Sequence, residues 1–474
     1  MFVVGDDAQT IYGFRGSNVN IILNFEEVYP TTKEIILNQN YRSTQKILDL
    51  AEKILTHNPH QKKKELFTDN DDNLDVKYYL ARNERDEAEY MVRQLIDLYG
   101  SSGKDPVQKH VNIDSEDDED EYELDTEDYG TSITSSHSYQ QDSLDSSVSS
   151  MFDVYLDTSE FSPTQPYTNH RVGSWTIPEI NWSRIKELDE VAILYRTHSQ
   201  SRAIEETFLK YQIPYKLVSG TRFLDRREIK DVMAMLRYLS NGEDKISLSR
   251  FLPLILNGVG PKTMQKIIAY LDDFTYPLAP KFQNMVLNMM QSFQSVWTRN
   301  DNLIDLTKDI ITVSGYHTYL KSQYPNKEEF DSRMENIGEL YSLMFQFDER
   351  NDLPLKERLS QFLIHVSLMS AVDNDQNGGG AKVSLMSLHQ SKGLEFETVF
   401  LVGVEDGILP HQNSFLEEGG MEEEVRLAYV GVTRAKKHLF LISADSRVQF
   451  GQIKANPVSR IFRPFLDSYI KRTR

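Results

Sequence analysis

Two neighbouring stretches, VSLMSLHQSKGLEFETVFLVGV (383–404) and EEEVRLAYVGVTRAKKHLFLISA (422–444), decide the fold. VSLMSLH and TVFLVGV are short apolar runs that read as strands buried on both faces. Glu422 to Thr433 carries a helical pattern, and HLFLISA follows as a third strand. Strands that alternate with helices mean a parallel sheet, because a parallel neighbour is reached only by a crossover.

Working outward, NDQNGGGA (374–381) reads as a flexible joint. Before it, residues from about 224 to 372 are almost entirely helical in pattern. VAILYR (191–196) is another buried strand, followed by a helix from Ser201 to Tyr211 and a strand near Tyr215 to Ser219. VKYYLAR (76–82) is a strand, and Glu84 to Tyr99 an amphipathic helix. Ser43 or Thr44 is placed to cap a helix running through Leu55. EIILNQNYRS (34–43) and Phe2 to Val4 read as strands running into turns, and Val19 to Tyr29 as a short helix stopped by Pro30.

The 474 residues carry a net charge of −20, 39% hydrophobic and 11% aromatic content, and no cysteine. Disulfides, cysteine-ligated zinc and iron–sulfur clusters are thereby excluded. No apolar run approaches the roughly 20 residues of a membrane span, so no membrane partner is expected. The N-terminus lacks the pattern of a secretory signal. Between His110 and Thr164 there are about sixteen Asp and Glu and no Lys or Arg, which leaves about −4 for everything else. Gly100 to about Ile185 is acidic, rich in Ser, Tyr and Thr, and nearly without periodicity. It reads as a disordered insertion, with a folded acidic subdomain as the alternative, and is expected to bind proteins.

Four segments carry the chemistry: VVGDDAQTIYGFRG (3–16), LNQNYRST (37–44), LMSLHQSKGLEFETVFLVGVEDGILPH (385–411) and EEEVRLAYVGVTRAKKHLFL (422–441). In order and rough spacing they resemble motifs III, IV, V and VI of UvrD/Rep/PcrA-type superfamily 1 DNA helicases. VAILYRTHSQSRAIEE (191–206), GTRFLDRREIKDVMAMLRYL (220–239) and GVGPKT (258–263) are similar to the family's intervening segments. Only the acidic insertion lies outside the resemblance.

The resemblance implies an α/β fold: a RecA-like, P-loop NTPase-type parallel-sheet domain with an inserted all-helical subdomain and the acidic insertion. On this reading 1–33 is a remnant of a first motor domain. The second motor domain comprises 34–99, 186–223 and 376–474. The acidic insertion is 100–185, and 224–375 is a helical, duplex-facing subdomain. The implied activity is ATP-dependent, 3′-to-5′ translocation on single-stranded DNA and unwinding at a duplex junction, in repair or replication. ATP and Mg²⁺ are the implied cofactors.

The resemblance also assigns residues. Gln9 looks like the sensor of the terminal phosphate, whereas alone it reads as a turn glutamine bonding its own backbone. Tyr12, Phe14 and Arg15 suit base stacking and phosphate contact on single-stranded DNA; core aromatics are the alternative. Family members often carry Trp where this chain has Phe14. Tyr41 is similar to the residue that stacks on adenine. Arg42 and Arg434 resemble the two arginines that reach the γ-phosphate like arginine fingers, with a structural salt bridge the other reading of Arg42. Within the His389, Lys392, Gly393, Glu395 pattern, Glu395 looks like the ribose-binding group. Gly393 would allow a turn that a side chain blocks. His389 and the Ser387 hydroxyl lie toward DNA, unless His389 is a satisfied structural residue. Gly258, Gly260, Lys262 and Thr263 resemble a helix-hairpin-helix turn facing a duplex phosphate; an ordinary Gly-Pro turn also fits. Arg222 and Arg227 read equally as hinge ion pairs or DNA contacts.

No G-x-x-x-x-G-K-[ST] string occurs in the sequence. The family holds the phosphates with that loop and Mg²⁺ with an acidic strand-end pair, so both are expected upstream of Met1, and the chain is expected to be inactive alone. A non-catalytic DNA-binding or regulatory protein built from a helicase half is the alternative. A helicase–nuclease subunit is disfavoured because no carboxylate-rich nuclease pattern follows residue 441. The acidic insertion suggests a nuclear protein, with organellar or cytoplasmic placement as alternatives.

Overall fold

The computed structural model describes residues 3–13, 16–70, 74–100, 180–218, 220–349, 351–375, 380–466 and 470–473. Its centre is a seven-stranded, all-parallel sheet. The strands are β1 (Val76–Ala81), β2 (Val191–Tyr195), β3 (Tyr215–Leu217), β4 (Val383–Ser387), β5 (Phe396–Val402) and β6 (Ala435–Ala444), with β9 (Ile470–Thr473) after a two-stranded hairpin, β7 (Arg447–Gln449) and β8 (Gln452–Lys454). The order across the sheet is β3-β4-β2-β5-β6-β1-β9.

The central strands are buried on both faces, and the pleat sorts their side chains. Ala192 and Leu194 of β2 join Met386, Val399, Leu401, Leu439 and Leu441 in one core. That core is closed by Ile47, Leu50 and Ile54 of the helix Gln45–Leu55 and by Val425, Leu427 and Ala428 of the helix Gly420–Val432. Val191, Ile193 and Tyr195 point to the opposite face with Leu385, Phe400, Phe440 and Ile442. There the helices Glu84–Tyr99 and Ser201–Lys210 supply Met91, Leu95, Ile204 and Phe208. This two-sided cover is what continuous apolar strands require.

A third core belongs to eight helices between Arg227 and Asp375. The longest, Lys327–Asp348, ties them to the sheet. Its Asn336 bonds Arg226 and Glu228, its Glu339 accepts from Arg202 Nε at 3.1 Å, and its Ser342 donates to the Val448 carbonyl of β7 at 3.0 Å.

Several sequence expectations need correction. Val3 and Val4 form no strand and are exposed. Residues 34–38 are likewise not a strand, and only a single bridge, Gln39 to Phe67, forms nearby. Ile35, Ile36 and Leu37 are exposed, so these apolar runs have the composition of strands but no neighbouring strand to pair with among the described residues. The segment 19–29 breaks at Asn24 into two one-turn helices, Asn20–Leu23 and Phe25–Val28. The boundary of the acidic insertion also moves. Ile180 to Ile185 is ordered, with Trp182 and Ile185 buried against the sheet; two large apolar side chains outweigh the polar neighbourhood of that short stretch. Residues 101–179 of the expected insertion lie outside the described residues, as do Phe14 and Arg15.

Candidate nucleotide and nucleic-acid site

The loop between β4 and β5, residues 388–395, organises the site. Ser387 ends β4, and its backbone N–H donates to the Gln390 side-chain oxygen at 3.1 Å. Gly393 has φ +88°, a left-handed turn that favours glycine. The loop has two ends with different chemistry.

At one end Glu395 stands directly before β5 and accepts from Arg42 Nε at 2.7 Å. Arg42 also donates to the Thr433 carbonyl at 3.2 Å. Lys436 lies 3.4 Å from the other Glu395 oxygen. The Arg42 hydrogen bond first, and then the positive charges of Arg42 and Lys436, hold the Glu395 carboxyl below its ordinary range. Both partners of the pair remain substantially exposed, at 28% and 45%. The turn carrying Arg42 is rigidly placed: Asn40 Oδ1 accepts from the Arg42 and Ser43 N–H groups, both at 2.8 Å, and the Ser43 hydroxyl donates to the Ala435 carbonyl at 2.7 Å. Tyr41 beside it is 80% exposed, with its hydroxyl donating to the Gln39 side-chain oxygen. An open planar ring, an always-charged fork and a carboxylate fit a nucleotide's base, phosphate and ribose.

Arg434 is placed differently from Arg42. It is 1% exposed and donates to the Val430 and Leu394 carbonyls and the Thr433 hydroxyl at 2.9–3.1 Å. Burial, then the neighbouring Arg42 charge, lowers its pKa to about 10. It therefore holds the start of β6 to the loop before β5, directly behind the Arg42–Glu395 pair.

At the other end of the loop, the Tyr12 hydroxyl donates to the His389 carbonyl at 3.1 Å, and the two rings lie 6.2 Å apart. Between the two ends, Lys392 donates to the Gln9 carbonyl at 2.8 Å and sits 5.2 Å from the Tyr12 ring centre. The segment carrying Gln9 and Tyr12 is anchored by Ala8 and Ile11, both fully buried in the core that includes the helix Gly420–Val432. Arg426 and Glu423 of that helix bond the Thr10 carbonyl and the Gly13 N–H. The Gln9 side chain bonds not its own backbone but the Asp6 carboxylate, at 2.6 Å.

Tyr12, Ser387 and His389 open on a cleft of about 1230 Å³ whose far wall is Tyr324 to Asn336 of the helical region. Gly258, Gly260, Lys262 and Thr263 lie elsewhere: the two glycines in the turn after the helix Lys245–Ile255, and Lys262 and Thr263 in the first turn of the helix Pro261–Asp272. Gly258 has φ +87°, Gly260 caps the second helix in extended conformation, and Lys262 is exposed. Arg227 bonds the Tyr319 hydroxyl within the helical region.

Sequence reading missed Thr433, Lys436, Glu423 and Arg426 as neighbours of the site. The basic run Arg434-Ala-Lys-Lys is the signal that could have pointed to Lys436. Among the described residues, no group of three or more His, Asp or Glu is arranged to hold a metal. Glu395 is already committed to two cations, so it does not fit as a Mg²⁺ ligand. No helix among them is long and apolar enough to cross a membrane.

Comparison with known proteins matches residues 35–125 and 155–446 to the UvrD-like helicase C-terminal domain. Residues 1–30 match the UvrD/REP helicase N-terminal domain. The ATP-dependent DNA helicase PcrA of Bacillus subtilis (strain 168) is 32% identical across 99% of this chain and 54% of its own length. PcrA of Staphylococcus epidermidis RP62A is 33% identical across 97% of this chain and 53% of its own. The chain thus spans about half the length of the curated relatives it matches, and with the parallel sheet and the motif loops in place, it belongs to the UvrD-like helicase family.

Proposed function

We propose that this chain is the C-terminal motor portion of an ATP-dependent DNA helicase that moves 3′ to 5′ on single-stranded DNA and unwinds duplex, in repair or replication. The observation that supports this best is the loop 388–395, with the Arg42–Glu395 pair at one end, the Tyr12–His389 contact at the other, and Lys392 touching the Gln9–Tyr12 segment between them. ATP would rest its adenine on Tyr41 and its ribose on Glu395, with Arg42 turning from Glu395 to the γ-phosphate. Arg434, backed by the Val430 and Leu394 carbonyls, would keep Arg42 and Glu395 in register and add positive charge behind them. ATP supplies the phosphoryl transfer, in which positioning and charge neutralisation dominate. Tyr12 and His389 would stack and orient bases while Ser387 contacts a phosphate. The turn from Gly258 to Thr263 would hold a duplex phosphate through backbone N–H groups and Lys262. The helical region would face the duplex.

The phosphate-binding loop and Mg²⁺ carboxylates would come from polypeptide upstream of residue 1. The purified chain alone is therefore expected neither to hydrolyse ATP nor to unwind DNA. Joined to an upstream half carrying G-x-x-x-x-G-K-[ST], it should show ATPase stimulated by single-stranded DNA. Turnover by the chain alone that survives Arg42→Ala would overturn the proposal. An assembled protein that binds single-stranded DNA but never hydrolyses ATP would establish the non-catalytic reading instead.

A further inference from the structure

Lys64 lies outside every motif that carries the family resemblance, yet it is closely paired beside the site. Its ammonium pairs with Asp6 at 2.5 Å and Asp7 at 2.7 Å, and its side chain is only 15% exposed. Asp7 is buried, and its second oxygen takes the Gln61 side chain and the Lys62 N–H. Burial pushes Lys64 down and the two carboxylates push it up, and the carboxylates win. So the ammonium stays charged inside a well-bonded pocket.

Asp6 is the hinge of the argument. One of its oxygens receives Lys64 and the Ala8 N–H; the other receives the side-chain amide of Gln9 at 2.6 Å. Gln9 is thus held at a fixed position by a carboxylate that Lys64 itself holds. On its other side, Lys64 is three residues from Phe67. The Phe67 N–H donates to the Asn38 carbonyl, and its carbonyl accepts from Asn40 N–H at 2.7 Å. Asn40 in turn shapes the turn that carries Arg42. One short stretch of chain, Lys64 to Phe67, therefore connects the two elements that would meet the terminal phosphate from different sides.

We propose that Lys64 is a positioning residue: through Asp6 it parks the Gln9 amide, and through Phe67 and Asn40 it keeps the Gln9 turn in register with Arg42, so that the two engage the γ-phosphate together. This rests on the assignment of Gln9 and Arg42 as phosphate-facing groups. When ATP arrives, the Gln9 amide exchanges Asp6 for a phosphate oxygen or the attacking water, and Asp6 stays neutralised by Lys64 rather than repelling the phosphate. Removing the ammonium leaves Asp6 and Asp7 as an uncompensated pair of negative charges beside an anionic ligand.

The test uses the chain joined to its phosphate-loop half, with ATPase measured with and without single-stranded DNA. Lys64→Met should lower kcat by about 10- to 100-fold, the scale of a small misplacement of a catalytic group, and Lys64→Arg should recover most of it. The decisive variant is the double, Lys64→Met with Gln9→Ala. Because part of the Lys64 effect passes through Gln9, the double should lose clearly less than the product of the two single losses. Multiplicative losses in the double, or a Lys64→Met enzyme with wild-type kcat, overturn the inference. Thermal unfolding of each variant separates loss of fold: a kcat loss that tracks the folded fraction and is not recovered by Lys64→Arg also overturns it. An assembled wild type without ATPase would instead sink the underlying assignment of function, which keeps the two failures distinct.

Discussion

Two arginine–carboxylate clusters sit at opposite extremes of the same sheet domain. Arg447, at the start of β7, holds Glu87 and Glu405 at 2.7–2.9 Å, and all three side chains are at most 7% exposed. The carboxylates are completed by the Gly403 and Ala444 N–H groups. Those bonds lock the helix Glu84–Tyr99, the end of β5 and the end of β6 together. Arg42 and Glu395 share one 2.7 Å contact at a half-open surface, with Lys436 looking on. The first cluster has no capacity left for a ligand; the second has little else to do. An ion pair that a substrate can replace must be cheap to break, and partial exposure makes it so.

The largest test of this contrast is Arg42→Ala in the assembled enzyme. ATP turnover should fall by about 10³–10⁵-fold, the scale of arginine fingers, while the melting temperature barely moves. Unchanged turnover in steady-state assays removes Arg42 from the catalytic set. Next comes Arg447→Met, which strands two buried carboxylates. A loss of about 3–5 kcal/mol in urea unfolding is expected, and a loss under about 1 kcal/mol would mean the cluster is not the lock described. Smaller is the response to acid. Burial, then Arg226 and Arg333, pushes His198 down to about 4 from 6.5. A folded-state value below the unfolded one favours folding above about 6.5, and that contribution is lost as pH falls toward about 4. His198→Asn should flatten melting temperature against pH in that window. Least of all, Glu395→Gln should lower stability only slightly above about pH 4.5, where the carboxyl held down by Arg42 and Lys436 makes its full contribution, and the difference from wild type should fade as pH drops below that value. A marked loss of stability at pH 7 would show that the exposed pair is structural after all.

The central strands β2, β4 and β5 were legible because each is a continuous apolar run, and burial on both faces is visible in composition alone; β9, whose sequence is IKRT, carries no such signal and was not read. VAILY, VSLMS and TVFLV are such runs. The Glu84–Tyr99 helix was equally clear from its amphipathic pattern; the structure adds its cap, the Asn83 side chain, which accepts from the Arg85 and Asp86 N–H groups. EIIL (34–37) and residues 3–4 misled for the same reason the others succeeded: apolar composition marks a capacity to pair, and among the described residues these segments find no strand beside them. Trp182 and Ile185 were hidden by polar neighbours, since a run of six residues is too short to show periodicity.

The sequence by itself determined the alternation of strand and helix, the family, and which residue types could meet a nucleotide or DNA, since these follow from local composition and motif spacing. Only the tertiary structure decided which of those residues touch. It set Arg42 on Glu395 across 353 positions of chain and Tyr12 on His389 across 377. It turned Arg434 inward and gave Lys64 to Asp6 and Asp7. Such contacts are fixed by how a parallel sheet brings distant strand ends side by side, and no local pattern in the sequence records that proximity.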